Sequence, residues 1–514
     1  MRYLLGIDVG SSDCKALLIT EDGTPIAAGM QSYPTRYPRS GWAEQTAQDW
    51  YSAACQAVHQ CISRAQIDVD GIAALAVDGP AHNVALLDSA GEPLCPVIHW
   101  SDLRSTDQVE SLKPSYGARI FDLTYSQLNP SWTLTQLMWV SENLPDVWRR
   151  LRKILVTKDY VRYRLTGKYQ TDVYDAIGTQ LYDVAAGCWS AELCDLIGLD
   201  MSCLPLLAQS SEIAGPLLPD AAKVMGLPAG IPVAVGSGDS VVEAFGIGAI
   251  HPGACIVKLG TAANVNLVTA QPYPSLQSIT YRHVVDELWF SITATNTGAS
   301  TMRWFRDTFH PVAAEQARTQ NASAYALIDV LAESVPAGAS GLLFHPYLMG
   351  ERSPYWDPYL RGDFVGITAR HTINHFARAI MEGVAFSIRD CRRIVEALGQ
   401  PITQTYIIGG GARSRLWRQI VCDVLGQPLI KPTIEDAAFG AALVAGLAAG
   451  VYAGWHEAVE LCVRAEETLY PVPERLPLYD ALFEVYRAIT RDLAVHNHTL
   501  ARLVESTGLI LATQ

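Results

Sequence analysis

The stretch Gly6-Ile7-Asp8-Val9-Gly10-Ser11-Ser12 ends one apolar run at a carboxylate, turns through a glycine and two hydroxyls, and resumes as another apolar run. From Tyr3 to Thr20 the Leu, Ile and Val content predicts two strands joined by this turn, with Asp22-Gly23 closing the next hairpin. The same design recurs from Ala254 to Val268: apolar strand, Gly260-Thr261, apolar strand. Two halves that begin alike suggest an internal duplication. His251-Pro252-Gly253 breaks the chain just before the second unit, which places a boundary at position 250 and two domains at 1–250 and 251–514. Exposed backbone N–H groups and hydroxyls in such turns can bond phosphate oxygens while a neighbouring carboxylate holds magnesium. Asp8 is that carboxylate, or else the cap of an Asp-x-Gly turn. The second loop favours the first reading.

Composition narrows the class. A chain of 514 residues, 49% hydrophobic and 18% charged, has the makings of two large cores and no biased tract. A net charge of −14 argues against general affinity for nucleic acid or anionic membrane, while local basic pockets for phosphate remain open. No apolar run reaches the ~18 residues of a membrane span, and the start shows no secretory leader, so the expected compartment is the cytoplasm. The eleven cysteines include no C-x-x-C pair and read as reduced, buried, small apolar residues. His371/His375 and His496/His498 lack the company of a zinc motif.

Thr46 to about Ala65 has helical spacing, and Gly71 to Val77 is a short strand before Gly79-Pro80; strands and helices then alternate. Leu482, Tyr486, Ile489 and Leu493 predict one long amphipathic helix over about 478–505, to which no function attaches. The usual nucleotide fingerprints are missing: there is no G-x-x-x-x-G-K-[ST], and no G-x-G-x-x-G follows a strand. Gly409-Gly410-Gly411-Ala412, after a Tyr-Ile-Ile strand and before a helix entered through Ser414, is either a plain turn or a place where backbone passes close to a base or ribose. The small residues of 435–442 read as a helix packed tightly on a neighbour. Asp239 ends the strand Ile231–Val235 and its Gly236-Ser237-Gly238 turn just before a helix, where open α/β folds put ligands; it is a carboxylate at a ligand site or only a helix cap. Residues 78–83 and 99–104 supply hydroxyl-seeking acids, imidazoles and an indole suited to a sugar or polyol, or to plain packing.

Taken together, these residues resemble the FGGY family of carbohydrate kinases, within the actin-like ATPases, over almost the whole chain. The resemblance is carried by 6–12, Gly41-Trp42-Ala43-Glu44-Gln45, Trp100-Ser101-Asp102-Leu103-Arg104, Lys158 to Gly167, Gly236-Ser237-Gly238-Asp239, Leu259-Gly260-Thr261, Gly350 to Pro358, Met381 to Phe386 and the triple glycine. It implies two actin-like, ribonuclease H-like α/β domains with mixed central sheets flanked by helices and the active site in the cleft between them. It implies ATP as donor and Mg2+ as cofactor, a small sugar or polyol as acceptor, and a homodimer as the common assembly. By position, Asp8 lies near magnesium, while Gly10, Ser11, Ser12 and Lys15 face Gly260 and Thr261 across the phosphates. Gly410, Gly411, Ala412 and Arg415 line the adenosine side, and Asp239 is the base that takes the acceptor's proton. Ala81, His82, Trp100 and Asp102 join Asp239 at the acceptor.

The closest branch is the xylulose kinases, so phosphorylation of a ketopentose such as D-xylulose to its 5-phosphate is the expected reaction. Other polyols and sugars of the same fold (glycerol, erythritol, gluconate, ribulose) and a non-catalytic nucleotide or sugar sensor are the alternatives. The chain departs from that branch at Asp78, Pro80-Ala81, Asn83 and Ser240, around the sugar. Asp78 either points inward and makes the pocket more polar or caps a turn. Arg413 and Arg415 would stack on a base or clash with it.

Overall fold

A computed structural model describes residues 2–312 and 323–506. Each strand–turn–strand unit opens a mixed sheet. In the first sheet, β1 (Tyr3–Val9), β2 (Asp13–Thr20), β3 (Pro25–Ser32), β4 (Ile72–Asp78), β5 (Ile213–Pro216) and β6 (Pro232–Ala234) lie in the order β5-β6-β4-β1-β2-β3. The second holds β7 (Ala254–Leu259), β8 (Ala263–Thr269), β9 (Ile279–Arg282), β10 (Trp289–Ala294), β11 (Gln404–Ile408), β12 (Leu429–Pro432) and β13 (Ala465–Leu469), in the order β9-β10-β8-β7-β11-β12-β13. Strand for strand, β3-β2-β1-β4-β6-β5 matches β10-β8-β7-β11-β12-β13, with the same parallel or antiparallel sense at every pairing. The duplication suggested by two short motifs is thus a duplication of topology.

Six helices bear on the site or its frame: α1 (Ala47–Ala65), α2 (Thr157–Thr166), α3 (Asp239–Gly246), α4 (Arg415–Leu425), α5 (Ala437–Ala448) and α6 (Leu476–Ser506). The central strands are apolar almost throughout because helices cover both faces of the sheet. On one face α1 presses Trp50, Ala54, Val58 and Cys61 inward. α5 belongs to the second half of the chain yet packs on β1, β4 and α3 of the first. Its Ala and Gly content is what allows this. A Cβ on Gly6 would sit 1.8 Å from the Ala438 carbonyl oxygen, and one on Gly440 would sit 1.9 Å from that of Val242 on α3. The core between the sheets accordingly mixes both halves, with Leu4, Ala76 and Phe245 beside Ile256, Ile408 and Phe439. The long C-terminal helix forms as its periodicity predicts and buries Tyr479, Phe483 and Tyr486 against the second half. No helix among the described residues is long and apolar enough to cross a membrane.

Candidate active site

Asp8, Gly10, Lys15, Asp239, Glu243, Lys258, Glu435, Asp436 and Ala437 line one cavity of about 270 Å³ between the two sheets. The first turn is held from behind. Gly10 N–H donates to the Asp13 carbonyl (2.9 Å), the Tyr33 hydroxyl to the Gly10 carbonyl, Gln45 Nε2 to the Ser11 carbonyl (2.7 Å), and the Trp100 indole N–H to Ser11 Oγ (3.1 Å). Ser11 and Ser12 stay exposed. Gln45 is itself oriented by Trp50 Nε1 (2.9 Å), which explains why the 41–45 motif accompanies the turn. Lys15, on β2, pairs with Asp436, whose other oxygen caps α5 through the Ala438 N–H (3.1 Å).

The second turn is braced by a segment that the sequence did not single out. Ala299 N–H donates to the Gly260 carbonyl (2.7 Å), and Gly298 N–H and Ser300 Oγ donate to the Thr261 carbonyl (2.8 and 2.7 Å). The 350–358 motif supports that segment in turn: Glu351 accepts from Asn296 N–H (2.6 Å), and Arg352 donates to the Thr295 carbonyl (2.8 Å). Burial pushes the Glu351 carboxyl up to about 8.

Acids gather on the first-domain side. Asp8 and Asp78 stand opposite each other in the parallel register of β1 and β4. Burial, and then the neighbouring Asp239, raise Asp8 to about 7. Burial, followed by Asp8 and Asp239, holds Asp78 well above the usual carboxylate range, and neither Asp78 oxygen accepts an N–H or O–H among the described residues. Asp78 thus sits beside Asp8 where burial and its acidic neighbours disfavour a second negative charge. Lys258 reaches across from β7 to Glu243 on α3 (2.7 Å); burial opposes its charge, and Glu243, Asp239 and Asp8 more than restore it. Asp239 is the first residue of α3, after Gly238 at the cap position. Its N–H donates to the Gly79 carbonyl (3.0 Å), and its Oδ1 accepts only from Ser240, N–H at 2.6 Å and Oγ at 3.1 Å, among the described residues.

Around Asp239 lies an aromatic enclosure. His82 adopts a positive φ of 73°. Burial lowers it to about 4, so the ring is neutral; Nδ1–H donates to the Gly178 carbonyl (2.7 Å) and Nε2 accepts from the Tyr281 hydroxyl (3.1 Å). Trp132 meets the imidazole edge-on at 4.1 Å between centroids, and Tyr174 packs against Tyr281 at 4.6 Å. Ala81 is buried beside them. Trp100 projects over the first turn, half-exposed. Asp102 does not face the cavity: fully buried, it accepts from Ala43 N–H (2.6 Å) and from Arg104 N–H, Nε and Nη2 (2.7, 2.9 and 2.7 Å).

At the triple glycine, φ is 97° for Gly409, and a Cβ on Gly411 would meet Leu259 Cγ at 2.6 Å, so the chain hugs β7. Gly410 faces open space, with nothing within 4 Å of its Cβ position, and Ala412 is buried below. Ser414 caps α4 by accepting from Trp417 N–H (3.1 Å). Arg415 turns away to Glu467 on the edge strand β13 (Nε 3.0 Å, Nη2 2.8 Å) and neither stacks nor clashes in the cleft.

Thus Asp8, Gly10, Lys15 and Asp239 line one cavity, Glu435 and Asp436, read from sequence only as part of a tightly packed structural stretch, line it too, and Lys258, Glu243, Trp132, Tyr174 and Tyr281 went unread. Two had a signal. Glu243 follows Asp239 by four residues on one helix face, and Lys258 precedes Gly260 by two residues, as Asp8 precedes Gly10.

Comparison with known proteins is decisive at the level of family. The N-terminal domain of the FGGY family of carbohydrate kinases matches residues 3–246, and the C-terminal domain of the same family matches residues 255–449. The chain belongs to the FGGY family of carbohydrate kinases. As a member of that family it is a phosphotransferase acting on a sugar. It is 30% identical over 502 residues to the xylulose kinase of Bacillus subtilis (strain 168), covering 96% of this chain and 98% of that one. The crystal structure of xylulose kinase from Rhodospirillum rubrum superposes with a TM-score of 0.88 at 28% identity, over 97% of this chain and all of that one. That of gluconate kinase from Lactobacillus acidophilus superposes equally well, TM-score 0.88, at 25% identity, over 97% of this chain and all of that one.

Proposed function

We propose that this FGGY kinase transfers the γ-phosphoryl group of ATP to the primary hydroxyl of a ketopentose, with D-xylulose, giving the 5-phosphate, as the first candidate. The observation that carries the reading is Asp239 in the same cavity as Asp8 and Lys258, below two hydroxyl-bearing turns that stem from equivalent strands. In this reading Asp239 accepts the acceptor's proton as its oxygen bonds to the γ-phosphorus and the bond from that phosphorus to the β,γ-bridging oxygen breaks, leaving ADP; the proton passes from Asp239 to solvent. Gly10, Ser11, Ser12 and Lys15 hold one side of the phosphates, and Gly260, Thr261 and Lys258 the other. Gly410, Gly411 and Ala412 shape the adenosine side.

The residues suit magnesium. Asp8 is an oxygen donor within a surplus of acid, and among the described residues no cluster of three or more His, Cys, Asp or Glu is arranged to hold a metal unaided. That fits an ion carried in largely by nucleotide phosphates and water. When bound it supplies charge neutralisation at the phosphate oxygens. His82, held at both ring nitrogens by the Gly178 carbonyl and the Tyr281 hydroxyl, forms with Ala81 and Trp100 the wall along which the acceptor approaches, and Asp102 stays behind that wall, holding Ala43 and Arg104. Arg415 anchors the adenosine loop to β13 from outside.

ADP release coupled to a panel of ketoses, polyols and sugar acids tests this. Turnover with D-xylulose well above the rest is the expected outcome. Turnover only on gluconate or another non-pentose would overturn the acceptor, and ATP binding without turnover on any of them would overturn the kinase role.

A further inference from the structure

Behind the turn that carries Asp239 lies a buried ion cluster. Lys158 Nζ stands 2.7 Å from Asp159, 3.0 Å from Asp172 and 3.0 Å from Asp175, and Arg162 stands 2.7 Å from Asp159. All five side chains are at most 2% exposed. Burial opposes the charge of Lys158, and the three carboxylates restore it. Asp159 Oδ2 and Arg162 Nε have no hydrogen-bond partner among the described residues. A cluster with orphaned atoms is a poor way to gain stability, because well-packed apolar residues in its place would be as stable or more so.

What the cluster touches suggests its use. Ser237 Oγ donates to Asp172 Oδ2 (2.6 Å), and Arg162 Nη1 donates to the Val235 carbonyl (2.8 Å), so two of its members grip residues 235–237. Gly236 wedges the turn against β4, where a Cβ would meet the Val77 carbonyl oxygen at 2.1 Å, and the Asp239 N–H ties the far end to Gly79. Gly238 lies flat against Tyr174, whose ring a Cβ would meet at 2.0 Å. Between Gly236 and Asp239 the Ser237 hydroxyl is therefore the one side-chain anchor among the described residues. Ser210 Oγ reaches the same Asp172 oxygen at 3.3 Å, but from outside the turn.

We propose that Ser237 and Asp172, the latter oriented by Lys158, are positioning residues that set the reach of Asp239 toward the acceptor hydroxyl. This rests on the kinase reading above. Its chemistry is that of alignment: a displacement of the base by about 1 Å costs up to about 100-fold in rate while ground-state binding is kept.

The test compares Ser237→Ala with Ser210→Ala, each of which removes one hydroxyl from the same carboxylate, on the acceptor the wild type turns over best. The expected result is a fall in kcat of about 10- to 100-fold for Ser237→Ala. KM for ATP and for acceptor should stay within about twofold, and Ser210→Ala should resemble wild type. Asp172→Asn, which keeps an acceptor for Ser237 but loses the charge facing Lys158, should fall between them. Circular dichroism and thermal melts of all three establish folding. Equal kcat for Ser237→Ala and wild type overturns the proposal, as does an equal loss for Ser210→Ala and Ser237→Ala, which would mark a purely structural cluster. Wild type with no turnover on any acceptor would overturn the kinase reading instead.

Discussion

Asp8 and Lys258 occupy equivalent places in the two duplicated units: each stands two residues before its turn glycine, on β1 and β7, the paired first strands of the two sheets, and both line the same cavity. Duplication supplied two similar turns, and this one position took opposite charges in the two halves. A polyphosphate between the turns would meet a carboxylate for its counterion on one side and an ammonium on the other. Glu243 then holds Lys258 in place at 2.7 Å.

Lys258→Met tests that division of labour. It removes the positive wall and leaves Glu243 buried without its cation, so charge developing on the transferring group goes uncompensated. The expected loss is about 10²- to 10³-fold in kcat/KM for ATP, with the acceptor's KM little changed. Initial rates at several ATP concentrations read it directly, and an unaltered kcat/KM would remove Lys258 from the phosphate side.

Asp239→Asn keeps the shape of the cleft and its tie to Gly79, and removes the base. Transfer should fall by about 10²- to 10⁴-fold, the usual worth of a general base. Nucleotide affinity, measured by calorimetry with ADP and magnesium, should be retained or improved, because one negative charge leaves the neighbourhood of Asp8. Parallel loss of binding and turnover would instead make Asp239 part of the nucleotide site.

The sequence showed the floor of the site and not its walls, and the reason is physical. Asp8, the two glycine turns, the triple glycine and Asp239 each couple a backbone requirement to local chemistry, so each leaves a short contiguous pattern. The same holds for the small residues of α5, whose tight packing was legible although its partner, the first sheet, was not. Tyr281, Trp132 and Tyr174 meet only through tertiary structure, and a lone aromatic in an apolar segment looks like core. Asp102 and Arg415 show the opposite error. Each belongs to a motif beside the site, yet its side chain is engaged elsewhere, by Ala43 and Arg104 in one case and by Glu467 in the other. Asp78, expected to face the acceptor or cap a turn, lies in strand register with Asp8.

Glu351 should make stability depend on pH. Its carboxyl titrates near 8 in the folded chain against about 4.3 when unfolded. Between those values the folded state binds more protons than the unfolded, so stability falls as pH rises through that window and stays lower above it. Glu351→Gln keeps the acceptor for Asn296 and Arg352 and has nothing to ionise. Its melting temperature should match wild type near pH 5 and exceed it near pH 9, by about 1–3 kcal/mol expressed as stability. Parallel pH profiles for the two proteins would contradict the assignment.

Gly440→Ala probes the seam between the halves. The added Cβ would lie 1.9 Å from the Val242 carbonyl oxygen, a backbone atom that cannot swing aside as a side chain can. α5 would have to lift off α3 and with it disturb Asp436 and the cavity rim. A loss of about 3 kcal/mol is expected from overpacking, seen as a lower denaturant midpoint, together with a raised KM for ATP. A variant of wild-type stability would mean that α5 is less firmly seated than its glycine contacts imply.

The adenosine side can be tested by a pair of substitutions with opposite expectations. Arg415→Ala breaks a largely exposed pair with Glu467, the kind of contact worth under about 1 kcal/mol, and Arg418 still holds the same carboxylate at 2.9 Å. KM for ATP should therefore stay within about twofold of wild type. Gly410→Val does the reverse. Its new side chain enters space where no protein atom lies within 4 Å of the Cβ position, so the fold should tolerate it, while the β-branched group stands where a nucleoside would approach. KM for ATP should rise by about tenfold or more, equivalent to roughly 1.4 kcal/mol, with melting temperature and acceptor KM little altered. Should Arg415→Ala weaken ATP and Gly410→Val leave it untouched, the nucleoside would lie along α4 toward β13, and the triple glycine would be a turn that only lets the chain pass close to β7.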